Sequence, residues 1–142
     1  MNMNSIGKLI SFINRVNQKE LAAKLKQYNI GGGGHHSYLK TILLNPGLNQ
    51  DQLTCEVKFD KATTTRCLKQ LEEAGYVERI VDDNDRRSYR LYPTDKAKQF
   101  EPRLTSILAE ANYNLAEGLD EGEKEQLRML LQKVYDNYIQ NK

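Results

Sequence analysis

Apolar side chains near the start of the chain recur at helical spacing. Ile6, Leu9, Ile10, Ile13, Val16, Leu21, Leu25 and Tyr28 share one face over about six turns, with polar residues opposite. The run stops at "NIGGGG", because Gly31 to Gly34 can continue a helix only at a cost. A short helix fits "HHSYLKTILL" and ends at Asn45-Pro46-Gly47. Another fits "NQDQLTCEV", where Asn49 as N-cap and Gln52 three residues on form a capping box. A fourth helix starts from the cap Asp60 and runs through "KATTTRCLKQLEEAG" to Gly75.

The periodicity then changes. "YVERIVDDNDRRSYRLY" reads as two β-prone segments around a turn-rich tip, a hairpin. Thr94 caps a long helix through Leu104, Leu108, Ala111 and Leu115, kinked or delayed by Pro102, and Gly118 and Gly122 bracket a break. A last helix is expected to bury Leu127, Leu130, Leu131, Val134, Tyr135 and Tyr138. The predicted order is α-α-α-α-β-β-α-α with no internal repeat. The fold class is mostly α with a small antiparallel β-hairpin (α+β), one domain of winged helix-turn-helix type.

Composition narrows the class. Apolar residues make up 39% and charged residues 28% of 142 positions, suited to one globular domain. No apolar run is long enough to cross a membrane, and Lys8, Asn14 and Arg15 interrupt the first helix too early for a secretory signal. Cys55 and Cys67 form no CxxC pair and read as reduced thiols, so the expected location is cytoplasmic. Net charge is only +2, and the middle of the chain is acidic: residues 48–95 hold eight Lys/Arg against ten acids. If that region binds nucleic acid, it does so with a few placed cations.

Those cations are identifiable. If Thr64, Cys67, Leu68 and Leu71 of the fourth helix point inward against Leu53 and Val57, the opposite face carries Lys61, Ala62, Thr63, Thr65, Arg66 and Lys69. Small residues permit close approach to a major groove, hydroxyls reach phosphates or base edges, and Arg66 can pair with a guanine. The same composition also suits a plain solvated helix surface. At the hairpin tip, Asp82, Asp83, Asn84 and Asp85 supply turn residues, and Arg86 and Arg87 follow. An aspartate such as Asp85 can hold one guanidinium by a fork-to-carboxylate bond and leave the other facing a minor groove. The alternative is a surface ion pair that only stabilises the turn.

From Leu48 to Ala97 the chain resembles the MarR-type transcriptional regulators, the multiple-antibiotic-resistance repressor family. The resemblance is carried by the helix pair, the "LEEAGYVER" junction from Leu71 to Arg79, the "DRR" of Asp85 to Arg87 and the capping Thr94. The flanking helices match as well. "GGGGHH", Pro93 and Ala97 depart from the family pattern, leucine being common at the Pro93 position and glycine at that of Ala97. The resemblance implies a homodimer on double-stranded DNA, at a pseudo-palindromic operator, with residues 35–95 as the reader. Residues 1–30 and 98–142 are then the dimerisation helices. Arg66 and Thr65 would lie in the major groove, with Arg86 or Arg87 as the wing-tip reader. It further implies a small aromatic or apolar acid ligand that releases the DNA. Its cleft is expected at Phe12, Arg15, Val16, His36, Tyr38 and Leu39, with Arg15 as carboxylate partner.

Other readings remain open: a winged-helix module for protein–protein contact, or a thiol-sensing repressor using Cys67 or Cys55. His35 and His36 are neighbours that point about 100° apart on a helix, a poor start for a zinc site of three or four ligands. No metal or cofactor is expected. Two histidines, no Ser-His-Asp context and no phosphate-cradling glycine motif leave no catalytic site to assign, so the chain is not read as an enzyme.

Overall fold

Hydrogen-bonding side chains placed just before the apolar runs start most of the helices. The structure, a computed structural model, describes residues 4–141. Residues 1–3 and 142, which the sequence assigns to the terminal helical segments, lie outside the described residues. Helix α1 (Ile6–Leu25) opens on Ser5, whose hydroxyl accepts from the Lys8 amide. Its expected last turn is instead a 3₁₀ segment, Lys26–Tyr28, closed by Asn29 in a left-handed conformation. Helix α2 is His35–Leu44 and α3 is Gln50–Val57. The Asn49–Gln52 capping box on α3 forms as the sequence predicts, with both reciprocal bonds present. Helix α4 is Lys61–Glu73, capped by Asp60.

Strands β1 (Val77–Asp82) and β2 (Asp85–Pro93) form the antiparallel hairpin, with Val81 opposite Tyr89 and an irregularity between Val81 and Asp82. The inner edge of β2 is tied to the loop before α3: Leu48 and Leu91 form a bridge, and the Gly47 amide donates to the Leu91 carbonyl at 2.8 Å. The hairpin is thereby fastened beside the helix pair.

Helix α5 (Asp95–Leu115) begins directly after its cap Thr94 and contains Pro102, so the proline does not delay it. Helix α6 (Glu121–Gln140) is capped by Asp120 with Glu123 in a capping box. Gly122 therefore sits inside the first turn of α6, not at its boundary. Amide groups of a first turn have no intrahelical partner, which makes that position tolerant.

One hydrophobic cluster joins the ends of α1 and α5 to the winged part. Leu21 and Leu25 meet Tyr38, Leu39 and Ile42 of α2, Leu53 of α3, Leu68 and Leu71 of α4, Leu91 of β2, and Phe100, Leu104 and Ile107 of α5. Each fully buried leucine contributes roughly 1.5–3 kcal/mol relative to exposure. The expected burial of Leu127, Leu130, Leu131, Val134, Tyr135 and Tyr138 is not met within one chain: all are exposed, and α6 has no buried residue. Ile6, Leu9, Ile10, Phe12, Ile13 and Val16 of α1 are exposed as well. The cluster reaches only to Leu21 on α1 and Ala111 on α5, so both helices run past it.

The glycine-rich segment fits closely. A Cβ on Gly31 would stand 2.6 Å from His35 Nδ1, and one on Gly32 would stand 3.0 Å from Ala22 Cβ. Its glycines are needed where neighbours leave no room for a side chain.

Candidate nucleic-acid interface

The inner face of α4 is anchored by a buried hydroxyl cluster. Thr64 Oγ1 donates to the Asp60 carbonyl at 3.0 Å and lies 3.1 Å from the Tyr38 hydroxyl and 3.0 Å from Thr54 Oγ1. Three helices are thus pinned at one point, with Cys67, Leu68 and Leu71 buried beside it. The outer face follows geometrically. Lys61, Ala62, Thr65, Arg66 and Lys69 are exposed, and Thr63 is half-buried. Gln50, a residue whose part in this face no local pattern reveals, reaches from α3 and donates to Thr65 Oγ1 at 2.7 Å. Thr65 in turn donates its hydroxyl proton to the Lys61 carbonyl. Toward a partner on that face, the Thr65 side chain can therefore offer an acceptor or its methyl group.

The wing corrects one expectation. Asp85 does engage Arg87, but through one oxygen: Oδ1 accepts the Arg87 amide at 3.1 Å and lies 3.4 Å from Nε. This is no two-pronged fork, and the Arg87 side chain is 94% exposed. The firmly held arginine is Arg90, whose Nε lies 3.2 Å from Asp82 Oδ2 and whose Nη1 donates to the Gly47 carbonyl at 2.9 Å. Asp82 also accepts the Asn84 amide and so shapes the turn. Arg86 is exposed and has no ion pair among the described residues. Behind the wing, Arg79 pairs with Glu72 of α4.

Between wing and helices lies a groove of about 220 Å³. Asn49 and Gln50 border it from the start of α3, Lys61 from α4, and Arg79, Arg87 and Tyr89 from the hairpin. A cation of the predicted reading helix and one of the wing thus share one concave face.

The residues expected to form a ligand cleft are not brought together around one cavity within the single chain. A cavity of about 330 Å³ lies among α1, α2 and α5, lined by Asn17, Leu21, His36, Ser37, Lys40, Thr41, Leu44, Leu108, Ala111 and Asn112. Of the six residues expected there, only His36 lines it. Tyr38 and Leu39 are fully buried on the inner side of α2. Phe12, Arg15 and Val16 lie on the exposed half of α1, where Arg15 donates to Ser11 and stands over the Phe12 ring. The cation at hand is Lys40, and the Asn17 side-chain oxygen is buried there without a hydrogen-bond partner among the described residues. Burial holds His36 below the usual imidazole range, with Lys40 adding to the effect.

The thiols separate clearly. Cys55 is exposed, while Cys67 is buried with its Sγ 3.8 Å from the His35 carbonyl. Burial pushes the Cys67 thiol up from 9.0 to about 12, so it is not a reactive thiolate. Between those values an unfolded chain releases its proton while the folded one keeps it, so stability falls as pH rises. Tyr38 and Tyr76, also pushed up by burial, act in the same direction. Denaturant midpoints are expected to drop between about pH 8 and about pH 10, and Cys67→Ala is expected to shrink that drop. An equal drop in both proteins would rule out the thiol as a cause.

Among the described residues no group of three or more His, Cys, Asp and Glu could hold a metal ion, and no helix is long and apolar enough to cross a membrane. The sequence matches the MarR family profile over residues 34–89. It is 32% identical over 104 residues to the uncharacterized HTH-type transcriptional regulator YybA of Bacillus subtilis (strain 168), covering 73% of this chain and 69% of that protein. The fold superposes on a MarR transcriptional regulator from Methanosarcina mazei Go1 with a TM-score of 0.88 and 34% identity, over 96% of this chain and 98% of that one. A MarR family transcriptional regulator from Listeria monocytogenes, in complex with a 26mer DNA, superposes with a TM-score of 0.86 and 28% identity, over 98% and 92% of the respective chains.

Proposed function

Because the chain belongs to the MarR family of transcriptional regulators, we propose that it is a homodimeric repressor that reads DNA with α4 and the wing. Each copy lays Lys61, Ala62, Thr63, Thr65, Arg66 and Lys69 in a major groove and turns Arg86 and Arg87 into the adjoining minor groove, with Asp85 bracing Arg87. The observation that carries this reading is the shared groove, where Lys61 of α4 and Arg87 of the wing face the same side. The DNA complex of the Listeria protein supports it. Residues 35–95 form the reader, while residues 1–30 and 98–142 pair two copies on a pseudo-palindrome whose half-sites lie about 10 bp apart.

A small aromatic or apolar acid is the inducer in this reading. The cavity among α1, α2 and α5 offers Lys40 for a carboxylate and the Asn17 oxygen for a phenolic proton. Such a ligand releases DNA only by binding better to the arrangement that DNA does not accept.

Binding to duplex DNA from upstream of the protein's own gene, measured across salt concentrations, tests the reading. Affinity is expected to fall steeply with salt, in proportion to the phosphates contacted. Arg86→Ala combined with Arg87→Ala is expected to weaken binding about tenfold and to lower the salt slope by about one to two. Affinity that is flat across salt would instead favour a protein–protein module, and an unaffected double variant would remove the wing from the interface.

A further inference from the structure

The start of α4 holds three side chains in series, ending at the arginine of the reading face. The Asp60 carboxylate is used twice: Oδ1 accepts the Thr63 amide at 2.7 Å, and Oδ2 accepts the Thr63 hydroxyl at 3.0 Å. A hydroxyl has one proton to give. With that proton committed to Asp60, Thr63 Oγ1 can only accept, and Arg66 Nη2 donates to it at 3.2 Å. Residues 60, 63 and 66 follow one another at three-residue steps, the spacing that brings side chains together along one edge of a helix. The Thr63 amide and hydroxyl hold the Asp60 carboxyl below its ordinary range, with the Arg66 charge a smaller cause, so the acceptor at the base of the series is ionised.

We propose that Asp60 and Thr63 are positioning residues for Arg66, the carboxylate setting the direction of the Thr63 hydroxyl and the hydroxyl fixing one edge of the guanidinium. The inference rests on Arg66 reading a base, as in the function above. A guanidinium carries five N–H donors in a rigid fork, so spending one on Thr63 leaves enough for a bidentate guanine contact. An arginine without that restraint still reaches DNA, but it divides its donors among phosphates and neighbouring bases. The expected signature of breaking the series is lost base preference with the salt dependence retained.

Selection of bound sequences from a random duplex library, with the full chain, separates the outcomes. Arg66→Ala is expected to lose roughly tenfold preference at one position of each half-site. Thr63→Val keeps the side-chain shape and the Asp60 cap but has no hydroxyl. Asp60→Asn keeps the cap but replaces an acceptor oxygen with a donor. Both are expected to relax that same position several-fold with an unchanged salt slope, and Thr63→Ser is expected to restore it. In an Arg66→Ala background neither should have any further effect there. Wild-type preference in Thr63→Val and Asp60→Asn, alongside a loss in Arg66→Ala, would overturn the positioning role and leave the reading of Arg66 intact. A Thr63→Val effect at that position that persists without Arg66 would mean that Thr63 reads that base by itself, and would likewise overturn the positioning role. If Arg66→Ala changes nothing, the base-reading role fails and the inference fails with it.

Discussion

Replacing Leu127 and Leu131 with glutamate is expected to leave the chain monomeric and to weaken operator binding by roughly 100-fold or more. Both residues belong to the apolar stripe of α6, a helix of 20 residues with none buried. With Leu130, Val134 and Tyr135 they present an apolar surface that stays exposed within the single chain, matched by exposed Ile6, Leu9, Ile10 and Ile13 on α1. A continuous exposed apolar surface of this kind marks an association site. In a two-fold pair each substitution occurs twice, so the double variant brings four carboxylates into one apolar interface. Each lost leucine removes roughly 1.5–3 kcal/mol of burial, and an unpaired buried charge costs more. The DNA effect follows separately. A dimer engages its second half-site at high effective concentration, a gain on the order of 10²–10⁴ that a monomer forfeits. Sedimentation equilibrium and an operator gel shift read the two effects. Lys133→Glu, on the polar face of α6, serves as a control expected to leave the dimer intact. A double variant that still sediments as a dimer would remove α6 from the interface.

Gly34→Ala is expected to destabilise the protein by about 2–3 kcal/mol, more than Gly33→Ala one residue earlier. Gly34 is the N-cap of α2 with φ of 88°, and Gly33 has φ of 71°. A side chain at either position incurs the left-handed penalty of about 1–2 kcal/mol. The surroundings distinguish them. A Cβ on Gly33 meets nothing within 4 Å, whereas one on Gly34 would stand 2.9 Å from Phe59 Cζ. Phe59 lies in the turn between α3 and α4 and stacks on Tyr38 with centroids 5.6 Å apart. Moving its ring disturbs that pair, worth about 0.5–1.5 kcal/mol, and lies next to the Tyr38–Thr64 bond that pins α4. Gly34→Ala is therefore expected to weaken DNA binding as well. Denaturant unfolding at equal protomer concentration measures the difference, since a dimer's stability depends on concentration. Equal costs at the two glycines would show that the Phe59 ring moves aside freely.

The pattern of caps and turns was legible because it rests on neighbours in the chain. Asn49 with Gln52, Asp60, Thr94 and the aspartates of the wing each act within a few residues of themselves, so their type and spacing suffice to place the elements they begin or turn. The same holds for the exposed face of α4, since helical geometry puts Arg66 and Lys69 outside once Leu68 and Leu71 are inside.

Contacts between elements were not legible. Gln50 to Thr65, Arg90 to Gly47 and the grouping of Asn17, Lys40 and Asn112 around one cavity join residues far apart in sequence. They depend on how helices cross and how far each side chain reaches, which residue order does not encode locally. By itself, then, the sequence determined which faces are apolar, where helices start and which cations stand on α4 and the wing. Only the tertiary structure decided that the α6 stripe stays exposed within one chain, that Asp82 grips Arg90, and that a cavity opens between Asn17, Lys40 and Asn112. Periodicity specifies that a surface is to be buried, whereas what buries it depends on which surfaces the folded chain brings within contact distance.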